Sequence, residues 1–545
     1  MQIHSVHTSS DAQRYRAAGY WADRTFFDIL AARAAELPDR VVFTDAARSI
    51  TFGALKDEVE RCAEFLRRVG IARGDVVTIQ ITNRIEFAVV FFSLELIGAI
   101  ANQINPDFRA AEVGYLMRFT GSRAYICANA FKGFEYLPMI ESLRPELPEL
   151  CFVISVDDTD APGVASMPRS IVACGPLAPE HRVRMSSGEP MRVCFTSGTT
   201  GNPKGSVHSF DTTIYAAELM NDHMAIDAED VTLLFMPVGL NSGYLCLLQT
   251  LISRGRLVLM ERFHPLAVLD AIERYKVTLV SLPPSTMLSL LQEPGLRSRD
   301  LSSLRAVRTG GSMTSTDMVR RFRDVVGVPI LEAFGMLEMG FGTCIGLDSD
   351  FEETVGTAGP AMHGMGIAIL DEAGREVADE TEGEIAVRGP TVHLGYLNNP
   401  SANAQSLTAD GWFRSGDVGA LLGAGRNLKV IGRTKEIINR AGKKFVPREV
   451  EELLIAHPDV VNVALVGVPD ERVGERVCAC VVSRPGSHLE LKDLLSFLKD
   501  RVATYKLPEM LVLRDALPLT ATGKIRKALL VEEVQAMNVP AARSA

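Results

Sequence analysis

Short apolar runs alternate with amphipathic stretches along most of this chain, and this alternation constrains its fold more than any other sequence feature. Such runs are typical of strands that a parallel sheet buries on both faces. They lie at residues 76–81, 124–127, 150–155, 192–195, 231–236, 256–260, 279–282 and 306–309. Residues 52–69 and 265–275, which lie next to such runs, have the spacing of amphipathic helices. Strands that alternate with helices predict an α/β fold with largely parallel sheets.

The pattern changes near residue 360. Between residues 364 and 432, glycines separate short strand-like segments, which predicts a β-rich region. Further on, helix-like and strand-like segments follow at 447–456, 461–468, 476–482 and 489–502. We therefore predict a large domain over residues 1–432, with a β-rich subdomain over about 360–432. A small α+β domain over residues 437–545 would follow a boundary at 433–436.

Charge and cysteine content exclude several classes of protein. The 545-residue chain has 57 Lys+Arg and 67 Asp+Glu, a formal net charge of −10, which argues against a general nucleic-acid binder. Its nine cysteines form no C-x-x-C pair, so we expect neither a zinc module nor a disulfide framework. A reducing compartment fits this cysteine usage best.

No segment has the length of a membrane span. Residues 87–100 are the most apolar stretch, but they are too few and include Glu95. They predict a core helix in which Gly98 allows close packing. Residues 1–16 are polar and lack the apolar core of a signal peptide. We therefore expect a cytoplasmic protein without a membrane span.

The strongest chemical signal directly follows the apolar run 192–195. Residues 196–205 read TSGTTGNPKG, a loop in which three glycines let backbone N–H groups approach an anion. The hydroxyl and ammonium groups of this loop belong to Thr196, Ser197, Thr199, Thr200 and Lys204. These groups add hydrogen-bond donors, so the loop predicts a polyphosphate site. Its spacing is not that of a Walker A loop.

This loop resembles the signature of the adenylate-forming superfamily, which contains acyl- and aryl-CoA synthetases, peptide-synthetase adenylation domains and firefly luciferases. The resemblance continues in order along the chain. Residues 332–338 (EAFGMLE) resemble the family's aromatic-Gly-x-Thr-Glu segment, and residues 412–417 (WFRSGD) resemble its Tyr-x-Thr-Gly-Asp segment. Residues 432–438 (GRTKEII) resemble its hinge motif, and residues 518–525 (PLTATGKI) resemble the motif that holds its catalytic lysine.

The resemblance implies a two-step reaction that uses ATP and Mg²⁺. A carboxylate attacks the α-phosphate of ATP to give an acyl-adenylate and pyrophosphate, and the thiol of coenzyme A then releases AMP. An ionised carboxylate needs no general base, so the site must stabilise charge at phosphorus and at pyrophosphate. Lys524 would bridge the carboxylate and the α-phosphate, and Glu338 would hold Mg²⁺.

The same resemblance, together with the alternation of strands and helices, implies that the large domain contains two α/β sheet subdomains beside its β-rich subdomain. It also implies roles for further residues and a mobile C-terminal domain. Asp417 would bind the ribose hydroxyls, and Arg433 would lie near the ribose and phosphate. The C-terminal domain would rotate at hinge residue Lys435, withdraw Lys524 and bring Gly442 against the pantetheine arm. The implied nucleotide site also contains Thr196 as a metal ligand, Lys204 as a catalytic residue, and Ser197, Gly198, Thr199, Thr200, Gly201, Gly310, Gly311, Glu332, Ala333, Phe334 and Gly335. The implied acid pocket contains Leu240, Asn241, Gly335 and Phe341.

Three positions depart from the family pattern. Leu337 replaces a threonine that contacts the α-phosphate, a hydrogen bond worth about 0.5–1.5 kcal/mol. Leu240 and Phe210 each stand where a histidine is usual. Asn241 stands where the dihydroxybenzoate-activating branch, which also lacks the threonine, binds an ortho-hydroxyl group. An asparagine that only satisfies loop backbone is the alternative.

The leading interpretation is a carboxylate–CoA ligase for an aryl acid, with an ortho-hydroxylated acid as one option. The alternatives are a medium-chain or alicyclic acyl-CoA ligase and a stand-alone enzyme that loads a carrier-protein phosphopantetheine. The three departures also allow a catalytically silent nucleotide-binding scaffold, which the presence of every implied catalytic residue disfavours. The expected partners are a small carboxylic acid and CoA, with a carrier protein as an alternative and no nucleic acid. The oligomeric state is open, with a homodimer as one option.

Overall fold

A computed structural model of the protein describes residues 5–195, 203–311, 314–470, 472–519 and 525–537. The chain forms two compact units. Of the described residues, the first unit comprises 5–195, 204–311, 314–366 and 387–413, and the second comprises 203, 367–386, 414–470, 472–519 and 525–537.

The first unit contains an eight-stranded, mostly parallel sheet. In spatial order its strands are Gly340–Cys344, Ile330–Met336, Ala306–Gly310, Leu279–Ser281, Val231–Leu234, Arg256–Leu259, Val41–Thr44 and Ser49–Thr51. The strands from Ile330–Met336 to Val41–Thr44 are parallel, and the outermost pair at each edge is antiparallel. Four of the predicted apolar runs form consecutive strands of this sheet.

A second eight-stranded sheet of the first unit contains the other four predicted runs. Its spatial order is Gly395–Tyr396, Gly205–Ser209, Pro190–Phe195, Ile100–Gln103, Val76–Gln80, Ala124–Cys127, Phe152–Ser155 and Val164–Ser166. The strands from Pro190–Phe195 to Val164–Ser166 are parallel, and the first two pairs are antiparallel. The predicted α/β class with largely parallel sheets is therefore confirmed.

Helices cover these sheets and close a large apolar core. They are Ser9–Ala17, Phe26–Glu36, Phe52–Val69, Ile85–Leu96, Ala110–Thr120, Tyr136–Leu143, Met167–Ala173, Phe210–His223, Asn241–Ser253, Pro265–Tyr275, Pro284–Leu291, Thr316–Val326, Phe351–Thr354 and Pro400–Ser406. The helix Phe52–Val69 has its predicted bounds because both ends carry clear signals. Thr51 accepts a hydrogen bond from the Ala54 amide at its start, and Gly70 ends it with φ of 107°.

The predicted core helix over residues 87–100 ends earlier than expected. The helix runs over Ile85–Leu96, and Gly98 then adopts a left-handed φ of 72° that leads into the strand Ile100–Gln103. Gly98 does permit close packing, because a Cβ atom there would lie 2.8 Å from Cγ1 of Val183. Within the described part of the chain, no helix is both long and apolar enough to cross a bilayer.

The second unit is built on smaller sheets. A four-stranded sheet has the order Gly366–Leu370, Gly383–Arg388, Phe413–Leu422 and Asn427–Arg433. Another sheet has the order Lys443–Phe445, Ile438–Arg440, Gly474–Ser483 and Val460–Asp470, with Met510–Leu513 parallel to Gly474–Ser483. The helices of this unit are Arg448–Ile455, Leu491–Leu498 and Lys527–Ala536. This mixed arrangement confirms the predicted small α+β region.

Candidate active site

Two antiparallel strands hold the ends of the predicted phosphate loop. Phe195 at the end of Pro190–Phe195 lies opposite Gly205 at the start of Gly205–Ser209. The predicted residues Thr196, Ser197, Gly198, Thr199, Thr200 and Gly201 lie outside the described residues. Lys204 is described, and its ammonium group lies 4.8 Å from the ring centroid of Tyr396.

Glycines allow a close backbone approach at the predicted adenine wall. Gly310 pairs with Ala333 in neighbouring parallel strands, and a Cβ atom at Gly310 would lie 2.6 Å from the Ala333 carbonyl oxygen. A Cβ atom at Gly335 would lie 2.2 Å from the Gly340 carbonyl oxygen. The structure therefore brings Gly310 together with Ala333 and holds Gly335 against the adjacent strand. Gly311 follows directly with a left-handed φ of 82°.

The first residue of that wall motif is a buried acid. Glu332 lies in the strand Ile330–Met336, and burial raises the pKa of its carboxyl group to about 7. Phe334 is also buried in the same strand. The motif therefore presents a carboxyl group that changes charge near neutral pH.

Glu338 lies in a buried hydrogen-bond network that the sequence did not predict. Its side chain is 5 % exposed, and its Oε1 accepts a hydrogen bond from the Tyr396 hydroxyl at 2.7 Å. Its carbonyl oxygen accepts one from the His393 amide at 2.6 Å. The preceding residue, Leu337, has its carbonyl oxygen 2.9 Å from Nε2 of His208. The Leu337 main chain is therefore held although its side chain lacks the usual hydroxyl.

The phenol and the two imidazoles near Glu338 are neutral. Burial raises the pKa of Tyr396 well above its ordinary value, and the Glu338 carboxylate adds to this shift. Burial lowers the pKa of His393 to about 3 and lowers that of His208 as well. The Ser206 hydroxyl lies 2.8 Å from Nδ1 of His393 and 3.2 Å from Nε2 of His208. Tyr396 therefore stays protonated and donates to the carboxylate.

Asn241 in the predicted acid pocket is hydrogen-bonded on both sides. It begins the helix Asn241–Ser253, and Leu240 is the N-cap residue. Its Nδ2 donates to the carbonyl oxygen of Met336 at 3.1 Å, and its Oδ1 accepts from Nη2 of Arg192 at 3.0 Å. The side chain therefore binds the main chain at the end of the strand Ile330–Met336 and also contacts a cation. Phe341 lies with its ring centroid 4.6 Å from the Arg308 guanidinium.

Arg192 is the functional candidate that sequence reasoning missed. Its guanidinium is fully buried, lies 3.6 Å from the ring centroid of Tyr244 and donates to the Tyr244 hydroxyl. The signal was present in the sequence, because Arg192 is the one charged residue in the apolar run 192–195. A charge in a buried strand conflicts with its surroundings and marks a special site.

In the second unit, Asp417 and Arg433 face each other across two strands. They are register partners in Phe413–Leu422 and Asn427–Arg433, with Nε of Arg433 3.2 Å from Oδ1 of Asp417. The Asp417 amide donates to Oγ of Ser415 at 3.0 Å. The structure therefore brings the two predicted ribose-site residues together.

The predicted hinge, thiol and catalytic-lysine positions lie further along this unit. Lys435 is exposed in the turn Thr434–Glu436. Gly442 has φ of 79°, and a Cβ atom there would meet no atom within 4 Å. Lys524 lies outside the described residues, but Leu519 and Ile525 on either side of its segment form an antiparallel bridge.

Family models match both parts of the chain. A model described as "AMP-binding enzyme" matches residues 30–397, and "AMP-binding enzyme C-terminal domain" matches residues 449–524. The chain belongs to the AMP-binding enzyme family. It is an adenylate-forming ligase that acts on a carboxylic acid with ATP through an acyl-adenylate. These enzymes use ATP with Mg²⁺ and take coenzyme A as a co-substrate.

Relatives of this AMP-binding enzyme span nearly its whole length. It is 30% identical over 524 residues to the medium-chain fatty-acid–CoA ligase of Escherichia coli (strain K12), covering 95% of this chain and 92% of the relative. It is 33% identical over 534 residues to the salicyl-AMP ligase / salicyl-S-ArCP synthetase of Mycobacterium tuberculosis, covering 96% and 93%. The crystal structure of ATP-bound MatB from Rhodopseudomonas palustris matches with a TM-score of 0.85 and 25% identity, covering 94% of this chain and 99% of that one.

The described residues fit Mg²⁺ and a nucleotide. Mg²⁺ prefers hard oxygen ligands and binds through one or two carboxylates together with water and phosphate oxygens. Glu338 has a carboxylate of this kind, and the described residues contain no cluster of three or more metal-binding side chains. At the predicted adenine wall, an added Cβ atom at Gly311 would meet nothing within 4 Å.

Proposed function

We propose that this chain is a carboxylate–CoA ligase that joins an aryl acid to coenzyme A and releases AMP and pyrophosphate. The observation that carries the proposal is the group of Glu338, Tyr396 and Lys204. A buried carboxylate is held by a neutral phenol, and an ammonium group lies over the same phenol ring. The group therefore combines a carboxylate suited to Mg²⁺ with an ammonium group suited to phosphate.

Glu338 would hold the metal ion. When bound there, Mg²⁺ would neutralise charge on the phosphates of ATP. Tyr396 occupies one lone pair of the Glu338 carboxylate and fixes its orientation, and an ionised carboxylate has about four such acceptor positions. The phenol therefore positions the ligand without neutralising its charge.

Lysines would stabilise the charge that moves in the first step. A substrate carboxylate oxygen attacks the α-phosphorus, the bond from that phosphorus to the bridging oxygen breaks, and its electron pair leaves with pyrophosphate. We assign Lys204 to the phosphates, together with Thr196 and the glycines and hydroxyls of the loop. We assign Lys524 to the bridge between the carboxylate and the α-phosphate.

The nucleoside would be held by the wall and by the Asp417 pair. Gly310, Gly311 and residues 332–335 offer main-chain edges without bulk, which suits a flat base. Arg433 orients the Asp417 carboxylate through their contact at 3.2 Å. A carboxylate fixed in this way can accept hydrogen bonds from two ribose hydroxyls.

The second step would use the same site after a domain movement. We propose domains over residues 1–432 and 437–545 with a hinge at 433–436, and rotation at Lys435. Gly442, whose position has room for a close approach, would then contact the pantetheine arm. Withdrawal of Lys524 would separate the two reactions in time.

A carrier-protein thiol is the second candidate acceptor. The name of the M. tuberculosis relative states a salicyl-S-ArCP product, which supports both an aryl acid and such an acceptor. The E. coli relative is named for fatty acids and CoA, which supports CoA and keeps a medium-chain or alicyclic acid as the alternative substrate. Asn241 would contact an ortho substituent of an aryl acid.

The test is acid-dependent pyrophosphate release with aryl, ortho-hydroxyaryl, alicyclic and medium-chain acids, each with and without CoA. The proposal predicts multiple turnovers with an aryl acid only when CoA is present, with acyl-CoA and AMP formed in equal amounts. A single turnover that CoA cannot accelerate, but an aryl carrier protein can, would favour the carrier-protein enzyme. ATP binding without pyrophosphate release from any acid would contradict the proposal and favour a silent scaffold.

A further inference from the structure

Two buried arginines of the first unit lack an acidic partner. Arg192 is 0% exposed and Arg308 is 4% exposed. Among the residues that the structure describes, no aspartate or glutamate forms an ion pair with either guanidinium. Elsewhere in the chain, the half-buried Arg305 is paired with Asp230 through Nε and Nη2, each at 2.7 Å. Arg192 and Arg308 are therefore cations held without a counter-ion.

The contacts of Arg192 are all with neutral groups. Nη1 donates to Oε1 of Gln103 at 3.3 Å and contacts Sγ of Cys194 at 3.2 Å. Nη2 donates to Asn241 and to Tyr244. Nε is buried and has no acceptor among the described residues. Neutral acceptors and one aromatic ring thus fix the orientation of the guanidinium without compensating its charge.

Burial of an unpaired cation is unfavourable, because solvation is lost and no opposite charge replaces it. Such an arrangement is stabilised when an anionic ligand binds next to it. A guanidinium N–H can donate a charge-assisted hydrogen bond to a carboxylate, and Nε of Arg192 is the donor that no acceptor among the described residues occupies.

The contacts of Arg192 place its positive charge next to the predicted pocket for the acid substrate. Arg192 holds Asn241, and Asn241 donates to the main chain of Met336, directly after the wall motif. Arg308 lies on the neighbouring sheet, where its Nη2 approaches Sγ of Cys246 in the helix that Asn241 begins. Arg192 and Arg308 therefore both place positive charge beside the helix Asn241–Ser253, next to residues of the predicted acid pocket.

We propose that Arg192 binds a second carboxylate of the acid substrate, so that the enzyme acts on dicarboxylic acids and activates one of their two carboxyl groups. This inference rests on the proposed function and names its substrate class. Tyr244 and Gln103 position the guanidinium, and Asn241 lies between it and the main chain at Met336. Arg308 adds positive electrostatic potential beside the helix Asn241–Ser253.

The test compares each dicarboxylate with its own monoamide, which has nearly the same shape but lacks the second charge. The pairs are phthalate with 2-carbamoylbenzoate, and succinate, glutarate and adipate with their monoamides. kcat/KM from pyrophosphate release should favour one dicarboxylate about 10- to 100-fold, the range for a hydrogen bond to a charged group. Arg192→Gln should remove this preference, so that each dicarboxylate and its own monoamide are used with similar kcat/KM. Arg192→Lys should retain part of it.

Arg256→Gln is the matched control. Arg256 also donates to a neutral acceptor, Oγ1 of Thr44, and also lies near a tyrosine ring, that of Tyr275. This variant should keep the wild-type preference. An equal loss on dicarboxylate and monoamide in Arg192→Gln, or a preference removed by Arg308→Gln but not by Arg192→Gln, would overturn the assignment.

Calorimetric binding of the same pairs separates this inference from the proposed function, because binding needs no turnover. A dicarboxylate that binds wild type more tightly than its monoamide, and loses this advantage in Arg192→Gln, supports the inference even if no pyrophosphate is released. Such a result would contradict only the proposed ligase activity. Equal binding of every pair to wild type would overturn the inference.

Discussion

The hydroxyl of Tyr396 donates a hydrogen bond to Oε1 of Glu338 across 2.7 Å, and both side chains are buried. Burial and the nearby carboxylate raise the pKa of Tyr396, so the phenol keeps its proton and donates a hydrogen bond to Glu338. The orientation of the proposed metal ligand thus depends on a residue 58 positions away in the sequence.

Replacement of Tyr396 by phenylalanine should weaken the use of Mg²⁺. The ring would still contact Lys204, but the Glu338 carboxylate would lose its fixed donor. We expect pyrophosphate release to fall about tenfold and to need more Mg²⁺ for half-saturation, since a hydrogen bond to a charged group is worth about 1.5–3 kcal/mol. Magnesium titration of the steady-state rate measures this. Tyr215→Phe, which removes a phenol bonded to the His363 carbonyl oxygen, is the control. An unchanged magnesium dependence in Tyr396→Phe would contradict the role.

Replacement of Gly310 by alanine should damage the nucleotide wall. The new Cβ atom would lie 2.6 Å from the carbonyl oxygen of Ala333, so one of the two strands must shift. We expect KM for ATP to rise severalfold and stability to fall by about 1–3 kcal/mol, as in other overpacked sites. Gly295→Ala is a control, because its Cβ atom would meet nothing within 4 Å. Equal ATP kinetics in the two variants would argue against the wall.

Glu95 should make stability depend on pH. Its carboxyl group is buried, lies 3.2 Å from the Phe27 amide and has a pKa raised by burial to about 8, against an ordinary value of 4.5. The folded state therefore binds this proton more tightly than the unfolded chain. Its contribution to stability is fully present below pH 4.5 and is lost as the pH rises through about 8.

Thermal unfolding between about pH 6 and about pH 9 measures this effect. Wild type should lose more stability with rising pH than Glu95→Gln, whose neutral amide can still accept the Phe27 hydrogen bond. The exposed-site variant Glu141→Gln should behave like wild type. Parallel pH profiles for wild type and Glu95→Gln would show that Glu95 does not hold the proton.

Lys527 should stabilise the second unit through a buried ion pair. Its Nζ lies 2.8 Å from Oε1 of Glu451 and 3.2 Å from Oε2 of Glu436 in the turn Thr434–Glu436. Burial alone would lower the pKa of Lys527, but Glu451 and Glu436 outweigh it and the net shift is upward. Lys527→Met would leave Glu451 buried without a cation and should cost about 3–5 kcal/mol.

Hydrogen exchange in the strand Val460–Asp470 reports this loss, because Glu451 also accepts the Leu465 amide at 2.7 Å. Exchange there should be faster in Lys527→Met and partly restored in the double variant with Glu451→Gln. Equal exchange in the single and double variants would rule out an unpaired Glu451 as the cause.

The strands of the two large sheets could be predicted from sequence because parallel strands buried on both faces appear as local apolar runs. Helix ends were predictable where a cap was present, as at Thr51 and Gly70. The end of the helix Ile85–Leu96 was missed because apolar residues continue past Gly98 into the next strand, and hydropathy alone does not separate the two.

The site was predictable only in part. Sequence motifs identify Asp417, Arg433, Gly310 and Ala333. That Asp417 lies opposite Arg433, and Gly310 opposite Ala333, depends on the register of neighbouring strands, which the motifs do not give. The strand Gly395–Tyr396 lies within the sequence range predicted as the β-rich subdomain. It nevertheless belongs to a large sheet of the first unit, where it pairs with Gly205–Ser209. That long-range pairing brings Tyr396 to Glu338, and no local pattern encodes it. Arg192 could have been found from the sequence, because it is a charged residue in an otherwise apolar strand.

The most direct measurement of the account's central claim is acid-dependent exchange of labelled pyrophosphate into ATP, with dicarboxylic and aryl acids as the panel. Reversible acyl-adenylate formation predicts label in ATP only when acid, Mg²⁺ and wild-type enzyme are all present. Lys524→Ala and Glu338→Gln should each lower the exchange rate at least about 100-fold. Exchange that needs no acid, or release of ADP and phosphate in place of AMP and pyrophosphate, would contradict the account.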